Sequence, residues 1–249
     1  MKQSAKRCAI VVAFILLAAF PRIAESVASV PSTYAKEGGH IVWKIAGTPI
    51  WKFPAEYAAD VSLLSGRFNN LYNAGFKLKD MKVDKADGKW TLFIGKNSLY
   101  SINPAYSKSA KQDPQKMALQ IMSRLYGVLG KKYAVKLTPS YQIRGKYDIS
   151  ASVSWYGGKF IGRSFANGEQ FTDTHLSAAA KTLPFGTLVK VTAPSGKSVV
   201  VRVTDRFKEH KNRVLDISHA AADLLGIKEA GITSTRIEVI GRVDNIGGK

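Results

Sequence analysis

The chain has 249 residues, of which 45% are hydrophobic and 22% are charged, and its formal net charge is +19. This length allows one or two domains with a sizeable core, and the ordinary apolar fraction excludes a mostly disordered chain and a membrane protein with many spans. The positive charge predicts acidic partners: polymers of a cell envelope, membrane headgroups or nucleic acid. Neither an arginine-rich arm nor zinc-ligand spacing is present, so we expect no nucleic-acid binding.

The first residues are typical of a secretory signal. Basic residues at positions 2, 6 and 7 precede a thirteen-residue apolar run, Cys8 to Phe20, and small residues follow the run. Because this run is too short to span a bilayer comfortably, we expect a signal peptide over residues 1–26 and export to the periplasm or to the extracellular cell wall. An uncleaved N-terminal anchor is the alternative.

The single cysteine, Cys8, stands at the start of the apolar run. A lipid-modified cysteine would stand at its far end, so we expect no lipid anchor, and after cleavage no disulfide and no thiol chemistry. Removal of residues 1–26 takes away four basic residues and one acidic residue and leaves a net charge of +16. That charge favours peripheral contact with anionic polymers of the envelope.

Residues 35–135 are predicted to form a small α+β accessory domain. Alternating apolar residues over 40–53 indicate a strand pair or a bent strand, and residues 82–97 indicate a hairpin that turns at Asp87-Gly88. The sequence shows no catalytic constellation in this domain, and its role stays open between an accessory function and a docking surface for a protein partner.

Two helices are expected within the accessory domain. The first follows Pro54, carries an apolar residue every three or four positions and ends at Gly75, and the second follows Pro114 and ends at Gly130. Three tryptophans lie on the expected strands: Trp43, Trp51 and Trp90. They can stack on sugars, but tryptophans on short strands are more often core residues.

Residues 136–242 differ in composition and residue pattern from the accessory domain. Residues 136–148 contain proline, serine and glycine and are predicted to be a linker. Residues 149–242 contain β-branched runs, a hairpin tip at 194–197 and one short helix at Ser218–Leu225. Many short strands and one helix in about ninety residues indicate a small barrel.

Five ordered motifs occupy this region. They are residues 154–171, which include Ser-Trp-Tyr-Gly-Gly and Ala-Asn-Gly-Glu, residues 181–187 (Lys-Thr-Leu-Pro-Phe-Gly-Thr), residues 199–206 (Val-Val-Val-Arg-Val-Thr-Asp-Arg), residues 215–218 (Leu-Asp-Ile-Ser) and residues 220–226. Together they resemble the double-psi β-barrel domain of rare lipoprotein A, a peptidoglycan-directed family. The resemblance implies a six-stranded double-psi β-barrel in a mainly β C-terminal domain, and it does not extend to the accessory domain.

The family contains lytic transglycosylases, which cleave glycan between N-acetylmuramic acid and N-acetylglucosamine and leave a 1,6-anhydro end. The resemblance implies that Asp205 is the general acid, that Glu169 supports it, that glycan strands are the partner, and that no metal or cofactor is needed. Candidate substrate-binding residues are Trp155, Tyr156, Asn167 and Arg206.

These residues also have structural alternatives. Trp155 and Tyr156 can stack on apolar sugar faces or fill the core. Asp205 can pair with Arg202 or Arg206, or cap a turn. Asp216 precedes the expected helix, so we assign it a structural role at that helix N-terminus.

The sequence departs from the family pattern at three positions around the expected groove. Active members carry a histidine immediately before the Lys-Thr-Leu-Pro run, where this chain has Ala180, and His175 can replace it only if the loop bends favourably. The segment after Asp205 lacks the glycine and proline of the family, and Phe165 stands where threonine is common. The hypotheses are therefore an endolytic transglycosylase, a non-catalytic expansin-like wall-binding protein that has lost activity, and an envelope protein that binds a partner through the accessory domain.

Overall fold

The computed structural model describes residues 31–137, 150–207 and 213–248. The expected signal peptide, and all but the first two residues of the expected linker, lie outside these ranges. Within them, no helix combines the length and the apolar character needed to cross a bilayer.

Residues 31–137 form two antiparallel three-stranded sheets and three helices. The first sheet contains β1 (Ser32–Glu37), β2 (His40–Ile45) and β3 (Thr48–Pro54), and the second contains β5 (Met81–Ala86), β6 (Lys89–Ile94) and β7 (Asn97–Ser101). The helices are α1 (Ala58–Ala74), α2 (Pro104–Ser109) and α3 (Pro114–Tyr133), and a short strand, β4 (Phe76–Lys77), follows α1.

The hairpin predicted over residues 82–97 is confirmed, and of the two alternatives for residues 40–53 the structure has the strand pair. Strand β2 pairs with β3, and β5 pairs with β6 across a turn in which Asp87 and Gly88 have φ angles of 49° and 71°. Two consecutive positive φ angles match the right-handed twist of the flanking strands. Trp43 and Trp51 are buried, which confirms the core interpretation for these two residues, and Trp90 is half-buried.

The two predicted helices are present, but one of them ends later than expected. Helix α1 ends before Gly75, whose φ is 75°, as predicted. Helix α3 continues past Gly130 to Tyr133, so the predicted end at Gly130 is wrong. Gly130 is instead a point of close approach, because a Cβ atom there would lie 2.7 Å from Cδ1 of Leu188 and 3.0 Å from Cγ2 of Ile240.

The predicted barrel is confirmed, and six strands close it among the described residues. They are β8 (Ser150–Tyr156), β9 (Ser177–Ala180), β10 (Thr187–Thr192), β11 (Ser198–Asp205), β12 (Arg213–Ser218) and β13 (Thr233–Arg242), in the spatial order β10-β11-β9-β12-β8-β13. Two pairs, β11 with β9 and β12 with β8, are parallel, and the other four are antiparallel. Helix α4 (His219–Leu225) begins after its N-cap Ser218 and ends at Gly226 in the left-handed conformation, as predicted.

Helix α3 connects the N-terminal unit to the barrel wall. The side-chain hydroxyl of Ser123 accepts a hydrogen bond of 2.9 Å from the backbone N–H of Val200 on β11. Strand β4 pairs with β14 (Asn245–Ile246), which follows the last barrel strand. The apolar core is continuous from the sheets through α3 into the barrel. The domain boundaries expected from the sequence stay a prediction.

Candidate functional site

Three barrel strands contribute residues to one open cavity. Strand β11 is buried from Val199 to Thr204 and leaves the core at Asp205, while β12 carries Asp216 and β8 ends at Tyr156. These residues line an open cavity of about 350 Å³, which we call the acid cavity. Its lining consists of Tyr156, Phe160, Arg163, Ser164, Phe165, Phe171, Ala179, Asp205, Arg206, Phe207 and Asp216.

The carboxylate of Asp205 is fixed by the backbone. Its Oδ1 accepts hydrogen bonds from the N–H of Ala166 at 2.9 Å and from the N–H of Arg206 at 2.8 Å. Among residues 31–137, 150–207 and 213–248, no group donates a hydrogen bond to Oδ2. The alternative in which Asp205 pairs with Arg202 is wrong, because Arg202 pairs with Glu169. One oxygen is thus held by two backbone donors.

Asp216 faces the acid cavity from the opposite strand. The flanking residues of β12, Leu215 and Ile217, are fully buried, so the strand alternation turns Asp216 to the other side. Its Oδ1 accepts a 2.7 Å hydrogen bond from the Ser154 hydroxyl and lies 3.4 Å from a guanidinium nitrogen of Arg213. The expected role at the N-terminus of α4 is wrong, because Ser218 caps that helix.

Glu169 forms a partly buried ion pair with Arg202. Its two oxygens accept hydrogen bonds from Arg202 at 2.8 and 2.5 Å, and Asn167 donates a further one at 2.7 Å. Burial alone would raise the pKa of the Glu169 carboxyl, but the hydrogen bonds and charge of Arg202 and the Asn167 amide outweigh burial and lower it. Glu169 therefore remains ionised at neutral pH.

Glu169 and Asn167 line a different cavity from Asp205. This second cavity, which we call the junction cavity, has a volume of about 430 Å³ and lies between the N-terminal unit and the barrel. It is lined by Lys77, Lys79, Asn167, Glu169, Phe185, Gly186, Arg202, Arg242, Val243, Asp244 and Asn245. Between the two cavities, the guanidinium of Arg206 stacks over the ring of Phe185 at 3.9 Å.

The two aromatic residues predicted to bind sugar lie on opposite faces of β8. Tyr156 lines the acid cavity, and its hydroxyl forms a 2.8 Å hydrogen bond with that of Ser177. Burial raises the pKa of Tyr156, so its hydroxyl stays protonated. Trp155 lies outside the cavity, where its Nε1 donates to the carbonyl of Lys228 at 3.1 Å and its ring packs edge-on against His219.

The region of the missing histidine is apolar. Ala180 on β9 is fully buried, and its carbonyl accepts a 3.2 Å hydrogen bond from Arg206. His175 packs against the rings of Phe165 and Phe171, behind the lining of the acid cavity. Its Nδ1 accepts from the N–H of Thr172 at 2.8 Å, and burial lowers the pKa of His175 to about 4. His175 is therefore neutral and is not part of the cavity wall.

Sequence reasoning did not place Asp216 and Phe160 in the acid cavity. Asp216 was assigned to a helix terminus, although its position between two buried residues of β12 is the signal that would have placed it on the other face. Phe160 lies at the cavity edge with 36% of its surface exposed, and its ring packs edge-on against Tyr156. A short 3-10 helix, Gly158–Phe160, turns Phe160 to this edge. The sequence pattern does not predict this turn.

Comparisons with known proteins agree with this architecture. Residues 148–237 match the family model described as lytic transglycolase. The endolytic peptidoglycan transglycosylase RlpA of Neisseria meningitidis is 43% identical over 119 residues, which cover 47% of this chain and 48% of that protein. The protein of the same name from Rickettsia felis is 38% identical over 148 residues, covering 57% and 62%, and that from Pseudomonas aeruginosa is 44% identical over 116 residues, covering 46% and 33%.

The chain therefore spans about half the length of the curated relatives it matches. Among solved structures, apo expansin of Clavibacter michiganensis aligns with a TM-score of 0.30 and 24% identity over 36% of this chain and 48% of that chain. The barrel region thus matches the lytic transglycolase family model, and the chain is similar there to the endolytic peptidoglycan transglycosylases named RlpA.

Proposed function

We propose that this chain is an exported lytic transglycosylase that cleaves peptidoglycan glycan strands in the acid cavity. The observation that carries the proposal is the arrangement of Asp205, whose Oδ1 is held by two backbone N–H groups at the mouth of an open cavity lined by aromatic rings. The names of the relatives support the substrate and the reaction type.

In the proposed reaction, the carboxylic acid of Asp205 donates its proton to the glycosidic oxygen between N-acetylmuramic acid and N-acetylglucosamine. The bond from that oxygen to C1 of the muramyl residue breaks, and N-acetylglucosamine leaves with a free 4-hydroxyl group. The 6-hydroxyl oxygen of the same muramyl residue then bonds to C1 and returns its proton to the Asp205 carboxylate. No water is consumed, the acid is restored, and the product has a 1,6-anhydro end.

Asp216 provides the second carboxylate of the acid cavity. The Ser154 hydroxyl holds it at 2.7 Å, so its position is defined before substrate arrives. A fixed carboxylate at this place stabilises the positive charge that develops at C1 when the glycosidic bond breaks.

Glu169 acts as a positioning residue. Its ion pair with Arg202 holds the loop of residues 166–169 against β11, and the same loop presents the Ala166 N–H to Asp205. Because Glu169 is ionised and lines the junction cavity, it supports the acid through the backbone rather than by transferring a proton. Asn167 belongs to the same support, since it bonds both the side chain and the backbone N–H of Glu169.

The aromatic and cationic side chains that line the acid cavity bind the sugars. Tyr156 and Phe160 offer ring surface for the apolar faces of the sugars, and Arg206 lies next to Asp205 at the cavity edge. Trp155 supports β8 from the opposite face.

A second candidate function is favoured by Ala180. A fully buried methyl group stands where active members of the family carry a histidine, and it cannot move a proton. In that case the chain binds glycan in the same cavity without cleaving it.

Product analysis separates the two functions. Purified peptidoglycan is incubated with the mature protein, and the soluble fragments are analysed by chromatography with mass detection, with and without borohydride reduction. The proposal predicts anhydro-muramyl ends, which borohydride does not reduce. Reducible ends would indicate a hydrolase, and an absence of fragments together with sedimentation of the protein with sacculi would establish the binding function.

A further inference from the structure

The junction cavity is the neighbour of the acid cavity. Phe185 lines the former, Arg206 lines the latter, and their 3.9 Å stack forms the boundary. Glu169 borders the junction cavity, while Ala166 of the same loop bonds to Asp205. A polymer that extends beyond the acid cavity in this direction passes over one stacked pair and enters the junction cavity.

The junction cavity has an excess of positive charge. Its two carboxylates are neutralised by arginines of the cavity itself, Glu169 by Arg202 at 2.5 Å and Asp244 by Arg242 at 3.1 Å. Lys77 and Lys79 contribute the remaining charges, and among the described residues no carboxylate lies within ion-pair distance of either ammonium group. These two lysines come from the N-terminal unit, so the barrel alone does not form the cavity.

The backbone of the two lysines is held in place. Leu78, which lies between them, is fully buried, and its N–H donates a 3.0 Å hydrogen bond to the carbonyl of Asp244. Lys77 pairs with Asn245 where β4 meets β14. A ligand therefore has to order only the two side chains, which reduces the entropy cost of binding.

We propose that the junction cavity is a second subsite for the glycan strand and that Lys77 and Lys79 bind a carboxylate carried by that strand. The inference rests on the proposed function, because an enzyme that cuts inside a strand holds sugars on both sides of the broken bond. The anionic groups of peptidoglycan are carboxylates: a muramyl residue without a peptide has a free lactyl carboxylate, and in a muramyl residue with a peptide the lactyl group is an amide and the peptide supplies the carboxylates. The N-terminal unit thereby becomes part of the substrate site.

The test uses the mature protein, a Lys77→Gln/Lys79→Gln variant, and a Lys89→Gln/Lys96→Gln variant as the matched control. Lys89 and Lys96 are exposed on the hairpin turns of the β5-β6-β7 sheet and line neither cavity. Binding and cleavage are measured with four glycans: strands stripped of peptides, strands with peptides, and each of these two kinds after conversion of its carboxyl groups to methylamides.

The expected result is binding about fivefold to tenfold weaker for the cavity variant than for the control, as for the loss of two solvent-accessible charge contacts. The difference disappears with the amidated strands. A difference that is present with stripped strands identifies the lactyl carboxylate, and a difference that requires peptides identifies a peptide carboxylate. Equal binding of the two variants, with normal cleavage by the wild type, overturns the subsite and leaves the proposed function intact. A wild type that neither binds nor cleaves any strand overturns both.

Discussion

The Oδ1 atom of Asp205 accepts a 2.9 Å hydrogen bond from the backbone N–H of Ala166, which joins the end of β11 to the loop that carries Glu169. Glu169 returns to β11 through its two hydrogen bonds with Arg202, three residues before Asp205. Hydrogen bonds therefore link Asp205, the loop of residues 166–169 and Arg202 in a closed ring. A change at Glu169 should therefore alter the backbone that holds Asp205.

Glu169→Gln removes the negative charge that compensates Arg202, whose side chain is only 5% exposed. Gln keeps one acceptor, so we expect a loss of about 1–3 kcal/mol in the free energy of unfolding. We also expect kcat for glycan cleavage to fall more than KM changes, because the loop that holds Asp205 loosens. Chemical denaturation and cleavage kinetics measure the two effects.

Glu229→Gln is the matched control for this change, since Glu229 is exposed and lines neither cavity. It should alter neither stability nor cleavage. A Glu169→Gln protein with wild-type stability and wild-type kcat would show that the pair with Arg202 does not position the acid.

A side chain at position 130, where the chain has Gly130, should destabilise the contact between helix α3 and the barrel. A Cβ there meets Leu188 at 2.7 Å, so Gly130→Val forces the helix away from the barrel and should cost about 1–3 kcal/mol. Gly66→Ala in α1 meets nothing within 4 Å and should stabilise the protein by about 0.5–1 kcal/mol through helix propensity. Thermal unfolding should show a lower midpoint for Gly130→Val and a higher midpoint for Gly66→Ala than for the wild type. Equal changes in the two midpoints would show that α3 does not pack closely against the barrel.

The partly buried His175 predicts acid sensitivity. Its folded-state pKa of about 4 lies below the usual 6.5, so the unfolded chain binds a proton before the folded chain does. Stability should therefore fall as the pH decreases from about 6.5 to about 4, by about 1.4 kcal/mol for each unit of pKa difference. His175→Gln should flatten this part of the profile.

Urea unfolding at several pH values gives that profile. His40→Gln, at an exposed position of the first sheet, is the matched control and should follow the wild type. The pKa of the Glu169 carboxyl is lowered from its ordinary value of 4.5. The stability that this carboxylate contributes is therefore lost at a lower pH than the contribution of His175. Identical slopes for the wild type and His175→Gln between pH 6.5 and pH 4 would contradict burial of the neutral imidazole.

Local patterns were enough to predict most of the elements. The Asp87-Gly88 turn, the apolar period of α1 and the caps of α4 each depend on a few neighbouring residues, and all three are confirmed. The closed barrel followed from a resemblance of five ordered motifs. The end of α3 was predicted wrongly because Gly130 resembles a glycine that terminates a helix. In the structure, a glycine is needed at this position because the helix lies close to Leu188 of β10 and Ile240 of β13.

The candidate site was only partly predictable. Asp205 lies at a strand end that opens into a cavity, as its position after an apolar run suggested. That Glu169 lies on the other side of the Phe185–Arg206 stack depends on how the loop of residues 166–169 folds onto β11, and no spacing in the sequence encodes that contact. The opposite facing of Trp155 and Tyr156 follows from strand alternation, but only after the limits of β8 are known.

Asp205→Asn keeps the shape of the side chain and an acceptor for the N–H groups of Ala166 and Arg206, while it removes the proton that the reaction needs. The rate at which this variant forms anhydro-muramyl ends from purified peptidoglycan should be compared with that of the wild type, with binding to sacculi measured in parallel. The predicted result is a loss of cleavage of about 100-fold or more, with binding to sacculi unchanged. A variant that forms anhydro ends at the wild-type rate would contradict the assignment of Asp205 as the acid.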